Sequence, residues 1–225
     1  MNKRVPLYIS SLLLILIVGN ITPVYAQALP AVRCPVQPKN QKGVNLVFFS
    51  FFKKAATVTS YIPANLVLVD PLYLKSGPRC LTAQSYTAFL AMNTALYAAM
   101  QKTIVISSAW RSTQTQAYFA KARTDFAALP GRSEHQLGTT MDIDILGAKE
   151  EEYFGDSAVY QWMLTNAATY GFVQSFNAEG EAATGIPNEP WHWRFVGPTI
   201  ATKVTTEKLD INAYLYLRAE LKKKL

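Results

Sequence analysis

Only two histidines occur in the 225 residues, His135 and His192, and each stands in a polar segment beside carboxylates. Glu134 precedes the first and Gly138 follows it, while Glu189 and Pro190 precede the second. A histidine that merely fills a core has no need of such company. Two imidazoles and a carboxylate are a ligand set typical of a hydrolytic zinc ion, Zn2+, which keeps its fourth position for water. Asp142 and Asp144 both offer the carboxylate; strand geometry puts them on one face, about 7 Å apart, and does not choose between them. The sequence has no HExxH helix, so the ligands must come from strands and loops. Hydrolysis at a metal also needs a base for the water proton and a donor for the charge that builds on the carbonyl oxygen. Glu189 is the candidate base: on an unbroken strand it would face away from His192, but Pro190 delays the strand to about Trp191, and a turn can carry Glu189 over the metal. Arg111, between a strand and a helix, is the candidate for steadying the oxyanion.

These residues need elements to position them. Over 140–145 the chain alternates, with Met141, Ile143 and Ile145 on one side and Asp142 and Asp144 on the other, which is the period of a half-buried strand. Around 191–196 the same alternation sets Trp191, Trp193 and Phe195 on a packed face and leaves His192 and Arg194 on the opposite one. Apolar spacing predicts a helix over 82–102 with Thr82 as its N-cap, and the β-branched run 103–107 predicts a short strand. Further helices are expected over 112–128, ended by Pro130-Gly131, over 157–170, closed by Gly171, and over 210–225. A strand is expected over 172–176. Lys222 to Lys224 fall in the last turn of the final helix, where cations suit the helix dipole and solvent. The fold class is therefore α+β, a small, mostly antiparallel sheet carrying the zinc site and flanked by helices.

An apolar fraction of 50% with 16% charged residues excludes disorder and allows one globular domain. The N-terminus reads as an export signal: Lys3 and Arg4, an apolar stretch over 5–18, and Val24-Tyr25-Ala26 as a cleavage site after Ala26. Ser10, Ser11 and Asn20 interrupt a run already shorter than the roughly 20 apolar residues of a spanning helix, so no stable membrane span is expected after processing. Arg33 before Cys34 does not fit a lipid-modified cysteine. Cleavage removes Lys3 and Arg4 and no acidic residue, so the net charge falls from +7 to +5. That balance suits an anionic wall or membrane surface, and no nucleic-acid motif accompanies it. Cys34 and Cys80 are the only cysteines; in an oxidising compartment they form one disulfide, the alternative being a pair of buried thiols.

Three ordered motifs, SSAWRS at 107–112, SEHQLGTTMDID at 133–144 and EPWHWRFVG at 189–197, together resemble the VanY-type D-alanyl-D-alanine carboxypeptidases, within the LAS metallopeptidases. The resemblance covers roughly 66–197. Its SxHxxGxxxD pattern falls on Ser133, His135, Gly138 and Asp142 and so implies Asp142 rather than Asp144 as a ligand. Its ExxH pattern falls on Glu189 and His192, implying the catalytic base and the third zinc ligand. Arg111 matches the family's arginine, and Gln116 falls where a substrate-contacting glutamine occurs. Ala109-Trp110 replaces the usual Gly-Tyr and Thr140 stands where Ala is frequent, changes that bear on the pocket and leave the metal set intact. Gln116, Ser133 and Trp110 are the implied substrate-binding residues. The domain plan that follows is a signal peptide over 1–26, an N-terminal wrap over 27–65 and a zinc peptidase domain over 66–225. The implied activity is removal of the terminal D-Ala from peptidoglycan stem peptides in the periplasm or extracellular wall space. Two rivals follow from the same residues: an L,D-carboxypeptidase or endopeptidase cutting the same polymer, and a non-catalytic wall-binding zinc module.

Overall fold

In the computed structural model, residues 33–41, 60–122, 127–149 and 151–224 are described. The expected signal peptide and the apolar stretch 44–52 of the N-terminal wrap lie outside them. The described chain begins its regular structure with an antiparallel pair, β1 (Leu66–Leu68) and β2 (Cys80–Thr82), neither of which the sequence pattern singled out. Strands of three residues are too short to show a period of two. Thr82 then caps α1 (Ala83–Met100), its hydroxyl accepting from the Ser85 amide, as its position predicted.

The second sheet carries Asp142 and His192. It comprises β3 (Ile104–Ser108), β4 (Thr140–Ile145), β5 (Phe172–Gln174) and β6 (His192–Phe195), in the order β3-β4-β6-β5 with every pair antiparallel. The α+β class is therefore correct. One face packs on α1 through Phe89, Met92 and Leu96 against Ile104, Ile106, Met141, Ile143 and Trp193, all buried. Asn93 fastens the free edge of β3 from the helix, donating to Ile104 O and accepting from Ile104 N, both at 3.0 Å. That exchange replaces the two backbone bonds a further strand would supply.

Between the strands lie α2 (Thr113–Ala122), α3 (Ala158–Asn166) and α4 (Glu181–Thr184), and after β6 come α5 (Pro198–Thr206) and α6 (Ile211–Lys223). Helix α2 stops short of the expected residue 128: Ala128 is not helical, and its carbonyl accepts from the Gln116 side-chain amide at 2.7 Å. The segment 157–170 divides into α3 and a 3-10 turn Ala167–Tyr170, closed by Gly171 at φ 89°. Helices α5 and α6 cover the β5 side through Val173, Ala201, Val204, Ile211 and Leu215. The side chains of Lys222 and Lys223 lie outside the described residues. Cys34 and Cys80 form a disulfide, with Cα atoms 5.9 Å apart. No helix among the described residues is long and apolar enough to cross a membrane.

Candidate metal centre

The register of the sheet places Asp142 directly opposite His192 across β4 and β6, and Ser108 opposite Asp142 across β3 and β4. His135 comes from a 3-10 helix, Glu134–Leu137, that leads into β4. Ser133 caps this turn, its Oγ accepting from the His135 amide at 3.3 Å, and Gly138 ends it with φ 68°. A Cβ on Gly138 would meet Leu66 Cδ2 at 2.8 Å and Pro63 Cγ at 3.1 Å, so β1 presses on the turn and only glycine fits.

One nitrogen or oxygen from each of His135, Asp142 and His192 lies within 4.8 Å of the others. His135 Nε2 and His192 Nδ1 stand 3.2 Å and 3.1 Å from Asp142 Oδ1. Donors held at about 2.0–2.2 Å around one tetrahedral zinc ion are themselves about 3.4 Å apart, so this set needs little adjustment to close on such an ion. The remaining ring nitrogens support the same reading. His135 Nδ1 is 2.7 Å from Ala109 O, and His192 Nε2 is 3.1 Å from Glu134 Oε2. Each of those partners accepts, so each of those nitrogens would keep its proton when a metal is bound, leaving the other nitrogen of each ring free to ligate. Asp144 is not part of the set; its Oδ2 lies 2.5 Å from Lys75 Nζ instead.

Electrostatics separate the two imidazoles. Burial, with the Arg111 guanidinium beside it, pushes His135 down to about 4. Burial opposes charge on His192 as well, but the carboxylates of Asp142 and Glu134 outweigh it and raise the ring to about 10. Burial likewise resists the charge on Asp142, which both histidines nonetheless hold well below the usual carboxylate range. Glu134 is held at about 2 against its burial by Arg194 and His192.

Glu189 arrives by the turn that Pro190 suggested. Its carbonyl accepts from the His192 amide at 3.0 Å, its own amide donates to Phe176 O at 2.9 Å, and its Oε2 lies 3.5 Å from His192 Nδ1. Burial raises its carboxyl above the ordinary value, with Asp142 adding to the rise and His192 and Arg111 opposing it. Arg111 reaches the same place from the loop after β3: Nε donates to Ser108 Oγ at 2.9 Å, Nη1 to Gln116 Oε1 at 3.2 Å and Nη2 to Asp142 Oδ2 at 2.6 Å. Its Nη2 is also 3.0 Å from His135 Nε2, and its guanidinium lies 4.6 Å from the centre of the Phe119 ring.

Arg111, Phe119, Glu134, His135, Asp142, Glu189 and His192 all line one cavity of about 680 Å3, into which Ser133 and Gln116 also face. Gln116 is buried, however, and spends its amide on Arg111 and Ala128 O. Trp110 does not line the cavity; its amide donates to Cys80 O at 3.0 Å and its buried indole Nε1 has no hydrogen-bond partner. Four residues of the site escaped the sequence reading as participants: Glu134, Arg194, Ser108 and Phe119. Glu134 could have been found by asking what orients the second nitrogen of each imidazole; Ser108 and Phe119 carry no such signal.

The VanY D-alanyl-D-alanine carboxypeptidase family model matches residues 79–198. A D-alanyl-D-alanine carboxypeptidase of Enterococcus faecalis is 38% identical over 97 residues, covering 43% of this chain and 35% of that protein. A bifunctional D-Ala-D-Ala dipeptidase and carboxypeptidase of Enterococcus gallinarum is 33% identical over 93 residues, 40% of this chain and 49% of that one. The matched segment thus spans less than half the length of either curated relative. Among solved structures, the LdcB LD-carboxypeptidase superposes with TM-score 0.62 at 27% identity, covering 68% of this chain and 78% of its own. A Glu-to-Ala variant of the D,D-pentapeptidase VanY from a VanB-type resistance cassette, solved with Zn(II), superposes with TM-score 0.59 at 25% identity over 76% of this chain and 99% of its own. The family match takes in β3, β4 and β6 and every residue placed around the His-Asp-His cluster, and on that ground the chain belongs to the VanY D-alanyl-D-alanine carboxypeptidase family.

Proposed function

We propose that this protein is a zinc-dependent D-alanyl-D-alanine carboxypeptidase that trims the terminal D-Ala from peptidoglycan stem peptides outside the cytoplasm. The observation that carries the proposal is the convergence of His135, Asp142 and His192 on one point, with the Glu189 carboxylate 3.5 Å from His192 Nδ1 and lining the same cavity. Zinc, held by those three residues, would supply a Lewis acid to the scissile carbonyl and acidify a water. Glu189 takes the proton of the attacking water and passes it to the leaving amine. Its raised carboxyl suits both halves of that exchange. Arg111, fixed beside the ligand set, offers its positive charge to the oxygen on which negative charge develops. Ser133 and Gln116 line the space that receives the peptide end, Gln116 chiefly by bracing Arg111.

The test is release of D-Ala from a pentapeptide ending in D-Ala-D-Ala by the zinc-loaded protein. Glu189→Ala should lower turnover by about 10²- to 10⁴-fold while zinc stays bound. Hydrolysis at the wild-type rate by that variant would remove Glu189 from its role. The likeness to the LdcB LD-carboxypeptidase supports a second reading, an L,D cut in the same polymer. Mass spectrometry of digested muropeptides distinguishes them: pentapeptides shortened by one D-Ala support the D,D activity, shortened tetrapeptides the L,D activity, and opened cross-links an endopeptidase.

A further inference from the structure

Two charged side chains, Glu134 and Arg194, have no solvent exposure, and they lie against each other: Arg194 Nη1 donates to Glu134 Oε1 at 2.7 Å. A buried ion pair of this kind is poor support for a fold, because well-packed apolar residues of similar volume do as well or better. Its place in the molecule suggests another reason for its presence. Glu134 is the residue immediately before one metal ligand, His135, and its second oxygen reaches another, His192 Nε2, at 3.1 Å across 58 positions of sequence. Arg194 lies two residues beyond His192 on the same face of β6 and holds the carboxylate from the other side.

The His192 ring is packed between Phe176 and His135, with ring centroids 4.9 Å and 5.0 Å away. Aromatic packing of this sort is nearly indifferent to a half-turn of the imidazole about its Cβ–Cγ bond. Such a turn would bring a ring carbon to the spot where Nδ1 now faces Asp142 at 3.1 Å. The bond to Glu134 distinguishes the two orientations from the far edge of the ring, as Asp142 does from the near edge, since only one orientation sets a nitrogen against each carboxylate.

We infer that Glu134 is the positioning residue of the metal centre: it fixes the orientation and tautomer of His192 so that Nδ1 is the ligand atom, and Arg194 anchors it. The inference rests on the metal-binding part of the function proposed above. The presence of only two histidines makes it directly observable, because each imidazole can be assigned in a long-range proton–nitrogen NMR spectrum. The protein is stripped with a chelator and reloaded with zinc chloride, and its zinc affinity is measured by competition with a chromophoric chelator. In the loaded wild type, His192 is expected to be bound through Nδ1, with a slowly exchanging proton on Nε2. In Glu134→Gln an amide N–H must face either the imidazole N–H or the guanidinium, so zinc binding should weaken by about 10- to 100-fold and the Nε2 proton signal should shift or vanish. Glu134→Leu/Arg194→Met, which removes the acceptor and leaves no buried cation behind, should show the same loss in a folded protein.

A loaded wild type with His192 bound through Nε2 overturns the inference, whatever the variants do. So does either variant if, folded by near-ultraviolet circular dichroism, it holds zinc as tightly as the wild type with an unchanged imidazole spectrum. If the wild type takes up no zinc, the metal reading itself falls and this one with it; zinc uptake with indifference to Glu134 sinks this inference alone.

Discussion

Arg111 is held on several sides before any substrate arrives: by Ser108 and Gln116 through separate N–H groups, by Asp142 through Nη2, and by the face of Phe119. A guanidinium can meet all of these at once because its donors are spread in a rigid plane, whereas an ammonium is a point charge on a flexible stem. Arg111→Lys should therefore keep the charge near Asp142 and lose the aim. The expected result is a fall in kcat of about 10²- to 10³-fold, the cost of one misplaced oxyanion donor. Zinc content by elemental analysis should be unchanged, since none of the three ligands is removed; loss of the metal together with activity would make Arg111 a structural prop of the centre. The type and spacing of His135, His192, Glu189 and Arg111 could be read directly from the sequence. The choice between Asp142 and Asp144 could not, because it depends on a register with β6 and on Lys75, a residue 69 positions away from Asp144.

At the level of elements, the centre is a product of pairing. Side chains alternate along a strand, so a slip of one residue between β4 and β6 would turn Asp142 and His192 to opposite faces. The turn of Glu134–Leu137 is pinned to this sheet by Gly138, whose φ of 68° and close approach to Leu66 leave no room for a Cβ. Gly138→Ala should cost about 1–2 kcal/mol from the left-handed backbone alone, and more from the contact with β1, read as a lower urea midpoint. An unchanged midpoint would mean that the turn can relax. Helix α1 and strand β4 were legible because their apolar periods are long enough to count. Strand β6 was legible in its alternation but not in its surroundings: His192 and Arg194, on the face opposite the expected packed one, are as buried as Trp193, because Glu134 and Phe176 cover them. That cover comes from segments far away in sequence, which no local pattern records. The same limit hid β1, β2, α4 and α5, which are short or take their place from packing.

Over the whole molecule, the disulfide between Cys34 and Cys80 closes a loop spanning 46 positions and ends on β2, next to the site. Cys80 O accepts from the Trp110 amide at 3.0 Å, one residue before Arg111, so the bridge steadies the loop that carries the oxyanion candidate. Replacing both cysteines by serine should lower stability by about 2–4 kcal/mol, measured by urea unfolding of the oxidised parent against the variant. Equal stabilities would show that the N-terminal segment hangs on the bridge without contributing to the domain. The ligand geometry has a last consequence at this scale. Asp142 and His192 are 50 positions apart in the chain and meet only through the finished sheet. An unfolded polypeptide therefore presents scattered donors and no cage, so selection of the ion is deferred until folding ends, and the compartment in which the chain folds, rather than the one in which it is synthesised, decides which cation it acquires.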